Sequence, residues 1–570
     1  MTAAMAIVLS LVCALAHAAP PVKWRDASGV WHYGDAAPAD LDRGAAAERA
    51  GDYTAAAREL LDWAQRGDAR AQARLAELYL EGRGVPRDER TGAEWLRRAA
   101  QAGYAAAQLR YAELLELGRG TGADPRAALQ LLKSAAGQGY APAQTRLAER
   151  LLEGRDGRPD AVAAARLFEA AAAAGDAGAQ FRLGQLLLRG EGITPSVETA
   201  AEYLRAAVAQ GHAGAKQELA ELVFAGRVRE PGPERALQLL QEAADAGLPA
   251  AQTSLGLLYL QGRRVAVDAA RAARWLAAAA AAGDALAQFS LAGLYAEGKG
   301  VAADPAAAFR WYAAAAESGH ARAQFELAEA YAAGRGTAPD PHTAYLWYER
   351  AARQGLASAQ VRVGEALLRG LGVPADPLLA AQSYRAAAEA GHPQAQLALG
   401  LLLLNGRGVA RDPALAAVWL KRAAEQGATL AQVALGILHA SGNGLPRDDT
   451  QAARWYARAA QGRQPWGELL LGLAAIGGRG VVTEPVQGAG LVRRAAERGL
   501  ATAQFVYARL CAEGVGMARD LDCAYRWYDL AALAGHPSAA AARDALAPQL
   551  GPEALRAARR AAREWRPADG

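Results

Sequence analysis

The residues best suited to chemistry in this 570-residue chain are its histidines and cysteines. Four of the eight histidines, His212, His320, His392 and His536, each directly follow a Gly and are separated by multiples of 36 residues. Imidazole ligates metals and moves protons near neutral pH, so this set must be weighed as a site. Its spacing argues against a shared ion. Packed helices already stand ~8–10 Å apart, and zinc ligands all lie within ~2.1 Å of one ion. The same slot elsewhere holds Asp68, Asp176 or Asp284. Asp there caps the next helix, and the histidines are read as serving the same connector. Cys511 and Cys523 are the two cysteines beyond Cys13 of the N-terminal apolar run. In an oxidising compartment a disulfide joining them is expected, worth ~3 kcal/mol for so short a loop. The sequence has no Ser-x-x-Lys, Gly-x-Ser-x-Gly, His-Glu-x-x-His or P-loop pattern. The expectation is a chain that is not an enzyme, with no catalytic residue, no cofactor and no metal. Sixty-three basic against 59 acidic residues leave a net charge of +4, no footprint for nucleic acid.

The elements that carry these residues are repeated. Ala-Gln ends at Gln72, Gln108, Gln144, Gln180, Gln252, Gln288, Gln324, Gln360, Gln396, Gln432 and Gln504, always 36 or 72 residues apart. Lys216 and Glu468 occupy the two skipped slots, and a Gly follows every slot by ten residues. The composition is 52% hydrophobic but only 6% aromatic, so the apolar content is mostly Ala and Leu, strong helix formers. Each unit reads as two helices. The first runs from Ala-Gln to the Gly; Leu75-Ala76 and Leu255-Gly256 put a small residue where the second helix approaches. Gly82-Arg83-Gly84 caps and turns the chain. The second helix carries a Trp at Trp95, Trp275, Trp311, Trp347, Trp419, Trp455 and Trp527 and ends near the next Gly, such as Gly103. One hairpin cannot bury its own apolar face, and stacked neighbours can. The fold class expected is all-α, an α/α superhelical solenoid of about thirteen repeats. Asp156, Val228 and Arg264 replace the second loop Gly in repeats 3, 5 and 6, so altered loops are expected there.

The pattern AQ-x2-LG-x2-Y-x2-G-x-GV-x2-D-x3-A-x2-W-x3-AA-x2-G resembles that of Sel1-like repeats, relatives of the tetratricopeptide repeat. Residues 287–319, AQFSLAGLYAEGKGVAADPAAAFRWYAAAAESG, match it almost throughout. The resemblance implies a solenoid that binds other proteins. It spans thirteen repeats over 71–538, with an N-terminal half repeat at 46–70 and a C-terminal cap helix and tail at 539–570. The half repeat is read from GDYTAAARELLDWAQRG as a lone second helix. Residues 19–45 are a β-hairpin segment and linker. Their VKWRDASGVWHYGD resembles a small domain of unknown function at the start of many proteobacterial envelope proteins; Trp24, Trp31 and Tyr33 are read as docking the hairpin on the first helices of the solenoid, the alternative being contact with a ligand. Residues 1–18, an apolar run ending in Ala16-His17-Ala18, read as a signal peptide. A periplasmic or secreted protein with no membrane span in the mature chain is therefore expected.

One segment departs from its relatives. GRQPWGELLLGLAAIGG, residues 462–478, is apolar where other repeats carry Arg and Glu. Positions −2, +2, +5 and +9 from each Gln slot form one stripe on the first helix. Repeat 1 places Arg70, Arg74, Glu77 and Glu81 there; repeat 9 places Ser358, Arg362, Glu365 and Arg369. Repeats 10–12 place Leu401, Leu430, Ile437, Trp466, Leu470 and Leu473. In tetratricopeptide-type solenoids the first helices line the concave groove. An apolar patch there marks an interaction site, and Trp is enriched among interface hot spots. The function expected is a protein-interaction scaffold of the bacterial cell envelope, its protein partner bound by that stripe. The alternatives are a regulator or accessory subunit of a cell-wall or exopolysaccharide enzyme and, below that, an envelope hydrolase.

Overall fold

The computed structural model describes residues 22–25, 31–34 and 41–567, Arg263 excepted. It divides into two compact units, Met1–Ala279 and Ala280–Gly570. In each, successive helical hairpins stack on their neighbours in chain order to form an α/α solenoid. At the front, strands Val22–Arg25 and Trp31–Gly34 pair antiparallel, with Trp24 opposite His32. The 1–18 segment and the side chains of Trp24, Trp31 and Tyr33 lie outside the described residues.

Almost every helix is 13 residues long, about 20 Å. Repeat 1 shows why. Asp68 ends the connector and its Oδ1 accepts the Ala71 amide at 2.8 Å, so the first helix starts at Ala69. Gly82 takes a left-handed φ of 72° and stops it after Glu81. Asp88 accepts the amides of Arg90 and Thr91 and starts the second helix, Glu89–Gln101. Ala71, Leu75, Ala76, Leu96 and Ala99 bury the shared face. Gly84 has a second duty: any Cβ on it would collide with the Tyr53 carbonyl of the preceding second helix, so the loop rests on its neighbour's first turn. Arg264 stands at that loop position in repeat 6 and keeps the left-handed conformation, φ 70°. Its loop therefore holds the shape that the loss of Gly was expected to alter.

The lone second helix expected at the front has a companion. Helix Leu41–Arg49 precedes Tyr53–Gln65 and packs on it, Gly44 being buried beside Leu60. LDRGAAAER carries neither Ala-Gln nor a capping Gly at the repeat spacing, so it is invisible to the periodicity. At the other end the cap consists of Ala539–Leu546, a 3-10 turn, and Pro552–Glu564, whose Ala558 and Ala562 are buried against the last repeat. On the second helices, an Arg three residues after the Trp lies over its ring. Arg98 on Trp95, Arg350 on Trp347, Arg422 on Trp419 and Arg458 on Trp455 stand 4.3–4.8 Å from the centroids, a cation–π pair within each helix.

Candidate functional site

The slot Gln, present in all repeats but those of Lys216 and Glu468, ties each first helix to the second helix before it. Its Nε2 donates to the carbonyl eight residues earlier, at the end of the preceding second helix. Gln72 reaches Ala64, Gln180 reaches Ala172, Gln324 reaches Ala316 and Gln504 reaches Ala496, at 3.0–3.3 Å. In four repeats a second Gln, 30 residues on, donates back to its Oε1: Gln138 to Gln108, Gln210 to Gln180, Gln354 to Gln324 and Gln426 to Gln396, at 2.8–2.9 Å. Where that position is Ala102, Ser318, Ala390, Gly462 or Ala534, the Oε1 of Gln72, Gln288, Gln360, Gln432 or Gln504 has no protein hydrogen-bond partner.

Repeat 12 rebuilds this latch with charge. Glu468 occupies the Gln slot and is buried. Arg498, 30 residues on, places Nε 3.3 Å from its Oε2, and Arg494 places Nε 3.3 Å from its Oε1. The hairpin around them is closely packed. Gly472 and Gly488 face each other so that a Cβ on either would press within 2.7 Å of the other's carbonyl oxygen, and Gly467 lies as close to Ala459 and Ala460. Arg463 accepts a left-handed φ of 58° in the slot where Gly427 and Gly499 sit elsewhere. Much of the apolar run is therefore internal: Leu469, Ala474 and Ala475 are buried, and Ile476 packs against the last core cluster.

The outward stripe changes character along the array. In repeats 1–4 it is a ladder of ion pairs between successive first helices. Arg74 meets Glu48 at 2.7 Å, Arg110 meets Glu77 at 2.8 Å and Arg182 meets Glu149 at 3.4 Å; Arg150 meets Glu116. Repeats 8 and 9 repeat the motif, with Arg362 2.8 Å from Glu329 and 3.2 Å from Glu365. In repeats 10–12 the stripe is uncharged. Leu401, Leu430, Ile437 and Trp466 are 41, 51, 45 and 39% exposed. Leu470 and Leu473 are half-buried, and Leu473 packs against the cluster built on Leu469, Val492 and Tyr507. Four of the six stripe residues thus face solvent, while Leu473 contributes to internal packing.

A second apolar group was missed by a reading confined to first helices. Leu378 and Leu379 of repeat 9 and Leu415 and Val418 of repeat 10 are exposed on second helices. The signal was present: Leu378 stands where Arg90, Arg126 and His342 stand in other repeats.

The histidine slot divides. His212 and His320 cap the next helix through Nδ1, which accepts the Ala215 and Ala323 amides at 3.1 Å, and they lie against Phe181 and Phe289. Burial lowers the pKa of both. His392 makes no such cap, and His536 stacks on Phe505 with no helix starting at the equivalent place. The structure pairs the Sγ atoms of Cys511 and Cys523 across the loop of repeat 13, with Cα atoms 6.0 Å apart. No helix among the described residues is long and apolar enough to cross a membrane.

The family model for the Sel1 repeat matches twelve times: 69–104, 105–140, 141–176, 177–212, 215–248, 249–284, 285–320, 321–356, 357–392, 393–427, 429–462 and 501–536. The gap after 462 is repeat 12, whose Ala-Gln has become Gly467-Glu468. No curated protein matches the chain. Among solved structures, a protective antigen of uropathogenic Escherichia coli displaying an SLR fold is 29% identical, with a TM-score of 0.59, over 83% of this chain and 94% of that one. A Sel1 repeat protein from Oxalobacter formigenes is 30% identical, with a TM-score of 0.44, over 56% of this chain and 92% of that one. Repeats of this kind build scaffolds for protein–protein interaction and are generally non-catalytic. On the twelve matched repeats, the chain belongs to the Sel1 repeat family.

Proposed function

We propose that the protein is an exported scaffold of the bacterial cell envelope that holds an apolar segment of a partner protein on the first helices of repeats 10–12. One observation carries this reading: Leu401 and Ile437 are exposed at the stripe position where Glu77 and Glu329 are held in ion pairs, and Leu430 and Trp466 are exposed on the same stripe beside them. Large apolar side chains exposed on one face favour association, and Trp466 supplies an aromatic anchor. Leu473 belongs to the floor beneath that face. The envelope assignment rests on the apolar run of 1–18 and on Cys511–Cys523, which as a disulfide would persist only in an oxidising compartment. The similar E. coli protein is described as a protective antigen, in keeping with an antibody-accessible location.

The test is affinity capture from an envelope extract of the source cell. One bait is the protein itself, and the other carries Ile437→Glu and Trp466→Ala. Retention of a specific protein by the first and its loss from the second supports the reading. The same protein on both baits moves the docking site away from the stripe. Non-reducing mass mapping of freshly isolated protein tests the Cys511–Cys523 staple, and free thiols there would overturn it.

A further inference from the structure

The helix that closes the stack carries an unusual concentration of charge. Pro552–Glu564 and the Arg566 that follows hold five of the chain's 63 basic residues, Arg556, Arg559, Arg560, Arg563 and Arg566, against two acidic ones, Glu553 and Glu564. The chain's net charge is +4, and this helix with Arg566, five basic residues against two acidic, carries +3. Its Ala558 and Ala562 are buried against the last repeat, with Leu555 and Trp565 half-buried beside them, and Trp565 meets Trp527 edge to face at 6.1 Å. That anchorage turns the arginines outward, and all five are exposed. Arg556, Arg559, Arg560 and Arg563 border one shallow groove along the helix surface, with Glu564 as its single carboxylate. Arg559 donates to the Tyr525 hydroxyl at 2.9 Å. Among the described residues no carboxylate lies within ion-pair distance of Arg556, Arg560 or Arg563, whereas the arginines of the first-helix ladder are paired.

We propose that this face docks peripherally on an anionic lipid surface. A row of guanidinium groups recognises closely spaced oxyanions, and basic side chains are drawn to anionic headgroups. The residues between the arginines on the outer side are Ala557 and Ala561, so the patch has no aromatic or aliphatic anchor such as a shaped protein interface needs. The near-neutral remainder of the chain lacks the broad basic surface of a nucleic-acid binder. A flat, laterally mobile array of phosphates is the partner that requires neither. This inference is independent of the docking stripe in repeats 10–12.

Co-sedimentation of the full chain with phosphatidylcholine vesicles, with and without phosphatidylglycerol, tests it. The protein should partition onto the phosphatidylglycerol vesicles alone, and less so as salt rises. Arg556→Gln/Arg560→Gln/Arg563→Gln should weaken partitioning by about a hundredfold, each arginine near an anionic surface being worth about fivefold. Gln keeps helix propensity, and circular dichroism checks the fold. The corresponding triple Lys variant, which keeps the charge, should bind within a few-fold of the parent. Equal partitioning onto both vesicle types, binding insensitive to salt, or a Gln variant that binds like the parent would each overturn the proposal. So would tighter binding to polyglutamate or to a short DNA duplex than to the anionic vesicles, which would reassign the face to an acidic protein or to nucleic acid.

Discussion

The first helices of repeats 1–3 and of repeats 10–12 share their length and a left-handed C-terminal Gly, yet present stripes of opposite chemistry to solvent. On the former, Arg110 reaches back to Glu77 and sideways to Glu113, so each charge already has a partner in the stack. On the latter, Leu401, Ile437 and Trp466 occupy equivalent stripes and stand exposed among the described residues. A self-paired charged face contributes little to stability and offers little to a newcomer, because a partner would have to compete with ions already matched. An apolar face costs solvation for as long as it is exposed and is relieved only by association. The difference shows that a repeat array can hold its scaffold constant and write specificity into a few outward positions.

The comparison can be broken hardest where the apolar hairpin hides a carboxylate. Arg498→Gln should destabilise the protein by ~3 kcal/mol, because Glu468 is buried and loses one of its two arginines. Glu468→Gln/Arg498→Gln should recover most of that, since it recreates the Gln396–Gln426 arrangement. Urea denaturation of the four members of this cycle measures it, and additive losses would refute the latch. Next, Ile437→Glu/Trp466→Ala should weaken a captured partner by at least ~30-fold, the scale of hot-spot loss, while stability moves by less than ~1 kcal/mol. Titration of the same partner against Arg110→Ala should show no change; equal losses would erase the distinction between the two faces.

A smaller effect belongs to the histidine caps. His212 and His320 have folded pKa values below the usual 6.5, so the folded protein favours the neutral ring whose Nδ1 accepts the helix amide. Arg182 adds to the lowering at His212, and Asp176 opposes it. The stabilisation is therefore present above 6.5 and is lost as pH falls through the lowered folded values. Melting temperature should drop on acidification below about pH 6. His212→Asp/His320→Asp, which installs the cap used by Asp176 and Asp284, should flatten that part of the profile. The smallest effect is expected from Glu77→Gln: removing one rung of the exposed ladder should cost under ~1 kcal/mol, and less still in high salt, by differential scanning calorimetry.

Much of this architecture is legible in the letters. The 36-residue return of Ala-Gln and the Gly ten residues on mark each hairpin because backbone conformation and close packing limit which residues fit. The outer part of the stripe is legible for the same reason, since three- and four-residue spacing defines a helix face. Its inner part is not. Gly472 stands in the small-residue slot read from Leu255-Gly256, but Gly467 and Gly488 were not singled out, and together the three let backbones approach where Leu473 is drawn partly inward. The double role of Gln396, donating to Ala388 and accepting from Gln426, depends on a bond between residues 30 apart, which no local pattern displays. Helix Leu41–Arg49 escaped because it obeys no period, and the exposed Leu378, Leu379, Leu415 and Val418 escaped because only one helix of each pair was read for its outward face.

The position of the latch partners has a consequence for how such an array can change in length. Glu468 and Arg498 lie within the same 36 residues, as do Gln396 and Gln426, and Gln396 also donates to the Ala388 carbonyl, a group that every repeat supplies. Each polar pair therefore travels with its own cassette. Excising 465–500 would bring Ala460 to the place that Ala496 now holds before Gln504, removing the buried Glu468 together with Arg494 and Arg498, the two arginines beside it. Duplication or loss of whole repeats in the gene is thus buffered at its most vulnerable point, the buried polar group, and an array of this kind can drift in repeat number while its specificity-bearing faces are shuffled as intact units.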